Sequence, residues 1–214
     1  MQVTGWLPYL KASFRLIYRF DDTLNFGVKT MNLERIDNYI ETHFDKSVEE
    51  LSQLCAQPSV AAQNLGIEAC AQMVAESLKD RGFEVQLLPT AGSPVVFGER
   101  KGRHDATLIV YDHYDVQPPE PLELWESPPF EATLRDGRLY ARGAADNKGN
   151  LVARLHAIDA ILEAEGELPC TIKFVVEGEE EIGSVNLEPF VKEHQDLLAG
   201  DVCVWEIGGV DHEN

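Results

Sequence analysis

Apolar residues recur at Ile36, Tyr39, Ile40, Phe44, Val48, Leu51 and Leu54, the three-and-four spacing that lays one face of a helix on a core. A second helix is predicted from about Gly66 to Lys79, with Ile67, Cys70, Met73, Val74 and Leu78 on one side and Gly82 placed to end it. The period then shortens. β-rich runs cover Glu84 to Leu88, Pro94 to Phe97 and Thr107 to Tyr111, while Phe130 to Leu134 and Arg138 to Ala141 flank the hairpin-turn dipeptide Asp136-Gly137. Past a Gly-bearing loop at Arg142 to Gly149, a helix from about Asn150 to Glu163 carries Leu151, Leu155, Ile158 and Leu162 on one stripe. Thr171 to Val176 reads as a buried strand, Ser184 is placed to cap a helix from Leu187 to Leu198, and Asp201 to Trp205 reads as a further strand. Strands alternating with helices predict an α/β fold, a sheet with helices on its faces.

Length and composition narrow this picture. With 214 residues and 44% hydrophobic content, the chain has room for one substantial core and little for a second. The domain proper is expected from residue 31 to 214, with residues 1–30 an extension that is not part of the core. In that extension Lys11, Arg15 and Arg19 interrupt the apolar residues, so neither a secretory segment nor a membrane span is predicted and a cytoplasmic location is favoured. The formal charge of −19, with no basic face, argues against a nucleic-acid partner, which would need clustered Lys and Arg. Cys55, Cys70, Cys170 and Cys203 form no C-x-x-C pair and read as buried thiols in a reducing compartment.

The acidic residues matter by position. His113 and Asp115 follow the run Thr107 to Tyr111, Glu179 to Glu181 follow Thr171 to Val176, Glu206 follows Val202 to Trp205, and Asp146 lies in the Gly-bearing loop before a helix. Ligands of an α/β sheet bind beyond the carboxyl ends of its strands, so these groups are expected in one crevice. Carboxylates gathered there need a counter-charge, and only Arg142 and Lys148 are near in sequence. A divalent metal meets that need. Imidazole with carboxylates suits Zn2+, Mn2+ or Co2+ rather than Ca2+, and three carboxylates with a hydroxide balance two ions better than one.

Three segments then carry a family resemblance, in order: Tyr111-Asp112-His113-Tyr114-Asp115-Val116-Gln117-Pro118, Gly137 through Gly149 with Asp146-Asn147-Lys148-Gly149 at its end, and Glu177-Gly178-Glu179-Glu180-Glu181-Ile182-Gly183-Ser184. From about Met31 onward the chain resembles the zinc metallopeptidases that include carnosinase, cytosolic nonspecific dipeptidase, aminoacylase, carboxypeptidase G, acetylornithine deacetylase and succinyl-diaminopimelate desuccinylase. Trp125, Ser127, Pro129 and Phe130 lean toward the dipeptidase branch. The resemblance implies the N-terminal part of a zinc-exopeptidase-like catalytic domain, a mixed, mostly parallel sheet flanked by helices, with the lid domain absent. It also implies two divalent ions. His113, Asp146, Glu181 and Glu206 would be metal ligands, with Asp146 bridging, Asp115 would orient His113, and Glu180 would be the general base. A one-residue slip would make Glu179 the base and Glu180 the ligand; the Glu-Glu-x-Gly-Ser pattern favours Glu180 and Glu181. A cis peptide at Asp146-Asn147 is expected. Asp112 stands where the family commonly has Gly, and its charge is expected to point outward. Arg142 and Lys148 are expected to pair with site carboxylates or the loop backbone.

The implied function is hydrolysis of the amide bond of dipeptides or N-acyl amino acids, with no nucleic-acid or membrane partner and, in full-length members, a homodimer formed through the lid. Two other readings stand beside it: an inactive metal-binding or interaction fragment, and a two-metal phosphoesterase, which the motif order disfavours. His212 is not expected to replace the family's final histidine ligand.

Overall fold

The computed structural model describes residues 31–205; the N-terminal extension, Glu206 and His212 lie outside the described residues. The helices are α1 (Leu33–Ala56), α2 (Ile67–Asp80), α3 (Lys148–Glu165) and α4 (Leu187–Glu193). The strands are β1 (Glu84–Leu88), β2 (Val95–Arg100), β3 (His104–His113), β4 (Thr133–Arg135), β5 (Arg138–Tyr140), β6 (Cys170–Glu177) and β7 (Val202–Val204).

Five strands form one sheet in the order β1-β2-β6-β3-β7. β3 runs parallel to both its neighbours, β6 and β7, whereas β1, β2 and β6 are joined antiparallel, so the sheet is mixed. β4 and β5 form a separate hairpin whose turn residues, Asp136 and Gly137, both have positive φ, as a tight hairpin turn requires.

Period-2 alternation sorts the sheet's side chains. Val96, Ile172, Phe174 and Val176 share the core with α1, α2 and α3, while Val95, Phe97 and Val175 meet Phe190 of α4 and Leu197 and Leu198 on the other face. β6 is therefore buried on both sides and reads as a continuous apolar run. Helix α3 is buried nearly all round rather than along one stripe, because it sits between α1 and the sheet. One cluster joins the three helices: Arg81 at the end of α2 binds Glu50 of α1 and Asp159 of α3, each at 2.8 Å, and His156 Nε2 lies 2.7 Å from Glu50.

Three local expectations are corrected. Helix α4 stops at Glu193 rather than Leu198, because the carbonyls of Leu197 and Ala199 turn to accept from the Lys173 ammonium at 2.8 and 2.7 Å. Ser184 caps no helix: it has positive φ and its hydroxyl donates to Glu177 at 2.7 Å. Of the four cysteines, all free, Cys55 and Cys70 are buried, but Cys170 is only half-buried and Cys203 is exposed, since β7 is the outer strand of the described sheet. Among the described residues no helix is long and apolar enough to cross a membrane.

Candidate metal centre

β3 and β6 end side by side, with Asp112 opposite Val176 and His113 opposite Glu177. The loops leaving the two strands therefore emerge at one edge of the sheet. His113 is fully buried there. Its Nδ1 lies 3.1 Å from the Asp115 carbonyl oxygen and 3.3 Å from Asp115 Oδ1. Its Nε2 lies 3.1 Å from Asp146 Oδ1 and 3.7 Å from Glu180 Oε2. The ring thus has a buried side facing Asp115 and an open side facing carboxylates that reach solvent, since the Asp146 side chain is 62% exposed.

Asp115, also fully buried, ties the two strand ends together. Its two oxygens accept the backbone N–H groups of Glu180 and Glu181 at 3.2 and 3.1 Å. These N–H groups open the short 3-10 turn Glu180–Ile182, where the first donors of a helical turn have no partner within it. The three consecutive glutamates then divide. Glu179 is buried and turned away, accepting from Ser93 N–H at 2.9 Å and Asn186 Nδ2 at 2.8 Å. Glu180 faces His113, and Glu181 accepts from Gln117 Nε2 at 2.6 Å. Burial raises the Glu181 carboxyl, the Gln117 hydrogen bond opposes this, and the charge of Asp146 adds to it. The hydrogen bond with His113 lowers the Asp146 carboxyl.

Asp146 stands just before α3, and the Asp146-Asn147 peptide is cis. Lys148 is buried, its ammonium donating to the carbonyls of Leu54 and Gln57 at 2.9 and 2.7 Å. It thereby closes the carboxyl end of α1, where helix carbonyls lack partners. Arg142 donates to the Pro118 carbonyl at 3.1 Å. Asp112 departs from expectation. It is fully buried rather than turned outward, with Oδ1 accepting from Arg154 at 2.6 Å and from Asn147 Nδ2 at 2.9 Å. Period-2 alternation puts it on the face of Val110, where α3 brings Arg154 to meet it. Burial pushes its carboxyl up to about 6 against the pull of Arg154. Sequence reasoning did not foresee Gln117 as the partner of Glu181 or Asn147 and Arg154 as partners of Asp112; Gln117 and Asn147 lie inside the quoted motifs, and Arg154 shows in the sequence only as a cation inside an apolar helix.

The donor chemistry fits a divalent ion on the open side of His113. Two donors on one tetrahedral zinc at about 2.0–2.2 Å stand about 3.3 Å apart, so the 3.1 Å between Nε2 and Asp146 Oδ1 suits a shared ion. Three carboxylates, of Asp115, Asp146 and Glu180, lie around one imidazole, while Lys148 and Arg154 are committed elsewhere. Among the described residues, however, no three His, Cys, Asp or Glu side chains form a ready cage for a metal, and Glu206 lies outside them.

Known proteins share both the motifs and the fold. Residues 109–212 match the model of Peptidase family M20/M25/M40. The human Beta-Ala-His dipeptidase is 35% identical over 187 residues, which is 79% of this chain and 37% of that protein. A succinyl-diaminopimelate desuccinylase from Methylobacillus flagellatus is 31% identical over 163 residues, 74% of this chain and 42% of that protein. The crystal structure of an M20 family metallo-carboxypeptidase from Sulfolobus solfataricus superposes with a TM-score of 0.74 at 40% identity, covering 78% of this chain and 38% of that one. The chain spans about two fifths of the length of each relative. The matched motifs, the relatives and the shared fold together place the chain in peptidase family M20/M25/M40.

Proposed function

We propose that the protein belongs to a metal-dependent hydrolase of the amide bond in dipeptides or N-acyl amino acids, with residues 31–214 the N-terminal part of its catalytic domain. The observation that carries this reading is the open edge of His113, where Nε2 meets Asp146 Oδ1 at 3.1 Å and Glu180 Oε2 at 3.7 Å. Dipeptidase and desuccinylase relatives support the two substrate classes.

His113 and Asp146 would hold one ion together with Glu206, and Asp146 and Glu181 a second, with Zn2+ the expected metal and Mn2+ or Co2+ the alternatives. When bound, the ions supply Lewis-acid polarisation of the substrate carbonyl and a water of lowered pKa. With an ion in place of the hydrogen bond to Asp146, Asp115 would accept from Nδ1 of His113 and so leave Nε2 without a proton, able to ligate. Glu180 takes the proton of the attacking water and returns it to the leaving amine. The slip that would make Glu179 the base is disfavoured, because that carboxylate is buried and already paired with Ser93 and Asn186. Asp146 and Glu180, both reaching solvent, leave room for a substrate to approach.

The test is hydrolysis of dipeptide, N-acyl amino acid and phosphate-ester substrates by the protein with added Zn2+ or Mn2+, comparing wild type with Glu180→Gln. Amide turnover that falls at least about a hundredfold in the variant supports the assignment; undiminished turnover, or preference for the phosphate ester, overturns it. A second reading is a metal-binding or interaction module without turnover, in which the donors around His113 would hold an ion but activate no water. Ion binding by this 214-residue chain without hydrolysis is the result that would select it.

A further inference from the structure

We infer that Asp112 and Arg154 form a buried clamp that holds Asn147, and through it Asp146, against the open edge of His113; both are positioning residues, and the inference rests on the metal-centre reading above. Asp112 is fully buried at the end of β3, one residue before His113. Arg154 of α3 spans the strand end, donating to the Tyr111 carbonyl at 2.8 Å and to Asp112 Oδ1 at 2.6 Å. The same Oδ1 accepts from Asn147 Nδ2 at 2.9 Å, and Asn147 Oδ1 in turn accepts from Asn150 at 2.6 Å.

As a source of stability this arrangement is poor. The second Asp112 oxygen, Oδ2, is buried and accepts no hydrogen bond among the described residues, and a buried ion pair with an unmatched lone pair recovers little beyond its desolvation cost. What the pair does is geometric. Asn147 is fully buried and sits between Asp146 and the first turn of α3, so the direction of its side chain governs where the preceding carboxylate stands. Asp146 itself is exposed and, among the described residues, has no comparable side-chain anchor beyond its contact with His113. A carboxylate that must meet an imidazole to within a few tenths of an ångström needs its backbone held from behind, and the clamp is the set of contacts that reaches that backbone from the buried side.

The experiment separates clamping from simple stabilisation by removing both charges at once. Asp112→Ala with Arg154→Leu deletes the acceptor of Asn147 without stranding a buried charge, and Asp112→Asn with Arg154→Leu deletes the charges but keeps that acceptor. Two readouts are taken on the whole chain: amide hydrogen exchange of residues 146–149, and Co2+ binding followed by visible absorption. Exchange in 146–149 is expected to rise about tenfold or more in the Ala/Leu variant with the rest of the core unchanged, Co2+ affinity to fall about 10- to 100-fold, and the Asn/Leu variant to recover most of both. Exchange within about twofold of wild type in the Ala/Leu variant, or no recovery by Asn/Leu, overturns the clamp. Should the Ala/Leu variant fail to fold, Asn147→Ala cuts the same link with the ion pair left in place and carries the same expectation. A wild-type chain that binds no Co2+ refutes the metal centre, and the exchange measurement then still decides the clamp.

Discussion

Asp115→Ala tests how the two strand ends are joined. The substitution removes a buried carboxylate whose oxygens accept the N–H groups of Glu180 and Glu181 at 3.2 and 3.1 Å. A hydrogen bond to a charged group contributes about 1.5–3 kcal/mol net. Both donors are only partly buried, so water can replace some of the loss and the lower end applies to each, giving a sum of about 3 kcal/mol. For a domain of this size about 1 kcal/mol corresponds to about 2–4 °C, so a fall in melting temperature of about 6–12 °C is expected. Asp115→Asn retains one acceptor oxygen and should lose about half as much. Urea unfolding followed by circular dichroism, on metal-free protein, measures both. A loss under about 1 kcal/mol for the alanine variant, or equal losses for the two variants, would refute the capping argument.

Other outcomes rest on the same structure. Lys148→Met removes two bonds from a buried ammonium to the carbonyls closing α1, and the urea midpoint should report a loss of about 2–4 kcal/mol after the relieved desolvation is counted; a change under about 0.5 kcal/mol contradicts it. Gly178→Ala would set a Cβ 2.3 Å from Cζ and Oη of Tyr114, a buried ring whose hydroxyl donates to the Pro94 carbonyl at 2.7 Å. Overpacking of that kind costs about 1–3 kcal/mol, and an unshifted thermal midpoint would show that the strand end yields freely. Burial acts to raise the Glu50 carboxyl, but hydrogen bonds from His156 and Arg81 outweigh it and hold it well below the usual carboxylate range. Its folded value is thus depressed, so its contribution is complete above the unfolded value of about 4.3 and is lost as pH falls below that. The stability gap between wild type and Glu50→Gln should accordingly close on acidification, and a gap that widens below about pH 4 would reverse the sign of the argument.

Much of the fold is legible in the chain alone. The three-and-four spacing of α1 and α2 and the unbroken apolar run of β6 depend on neighbours a few residues apart, and their bounds come within a few residues of the expectation. The candidate site is legible in the same way, because its motifs pack several functional groups into short stretches beside strand ends. What fails is whatever depends on a distant partner. Helix α4 has helical periodicity through Leu198, yet Lys173, more than twenty residues earlier, draws off its last carbonyls. Ser184 has the chemistry of a cap, and Glu177 claims its hydroxyl.

Asp112 marks the boundary between the two kinds of knowledge. By itself the sequence determined the α/β alternation, the motif order and the residue types able to hold a divalent ion, since those are properties of local pattern and side-chain chemistry. Only the tertiary structure decided that His113 has one sealed and one open edge, that Glu179 turns away from its two neighbours, and that Asp112 points inward. The reason is that burial and pairing of charge are settled between elements: Arg154 reaches Asp112 from far along the chain only because α3 lies along the face of β3. A charge with no such partner would have stayed in water.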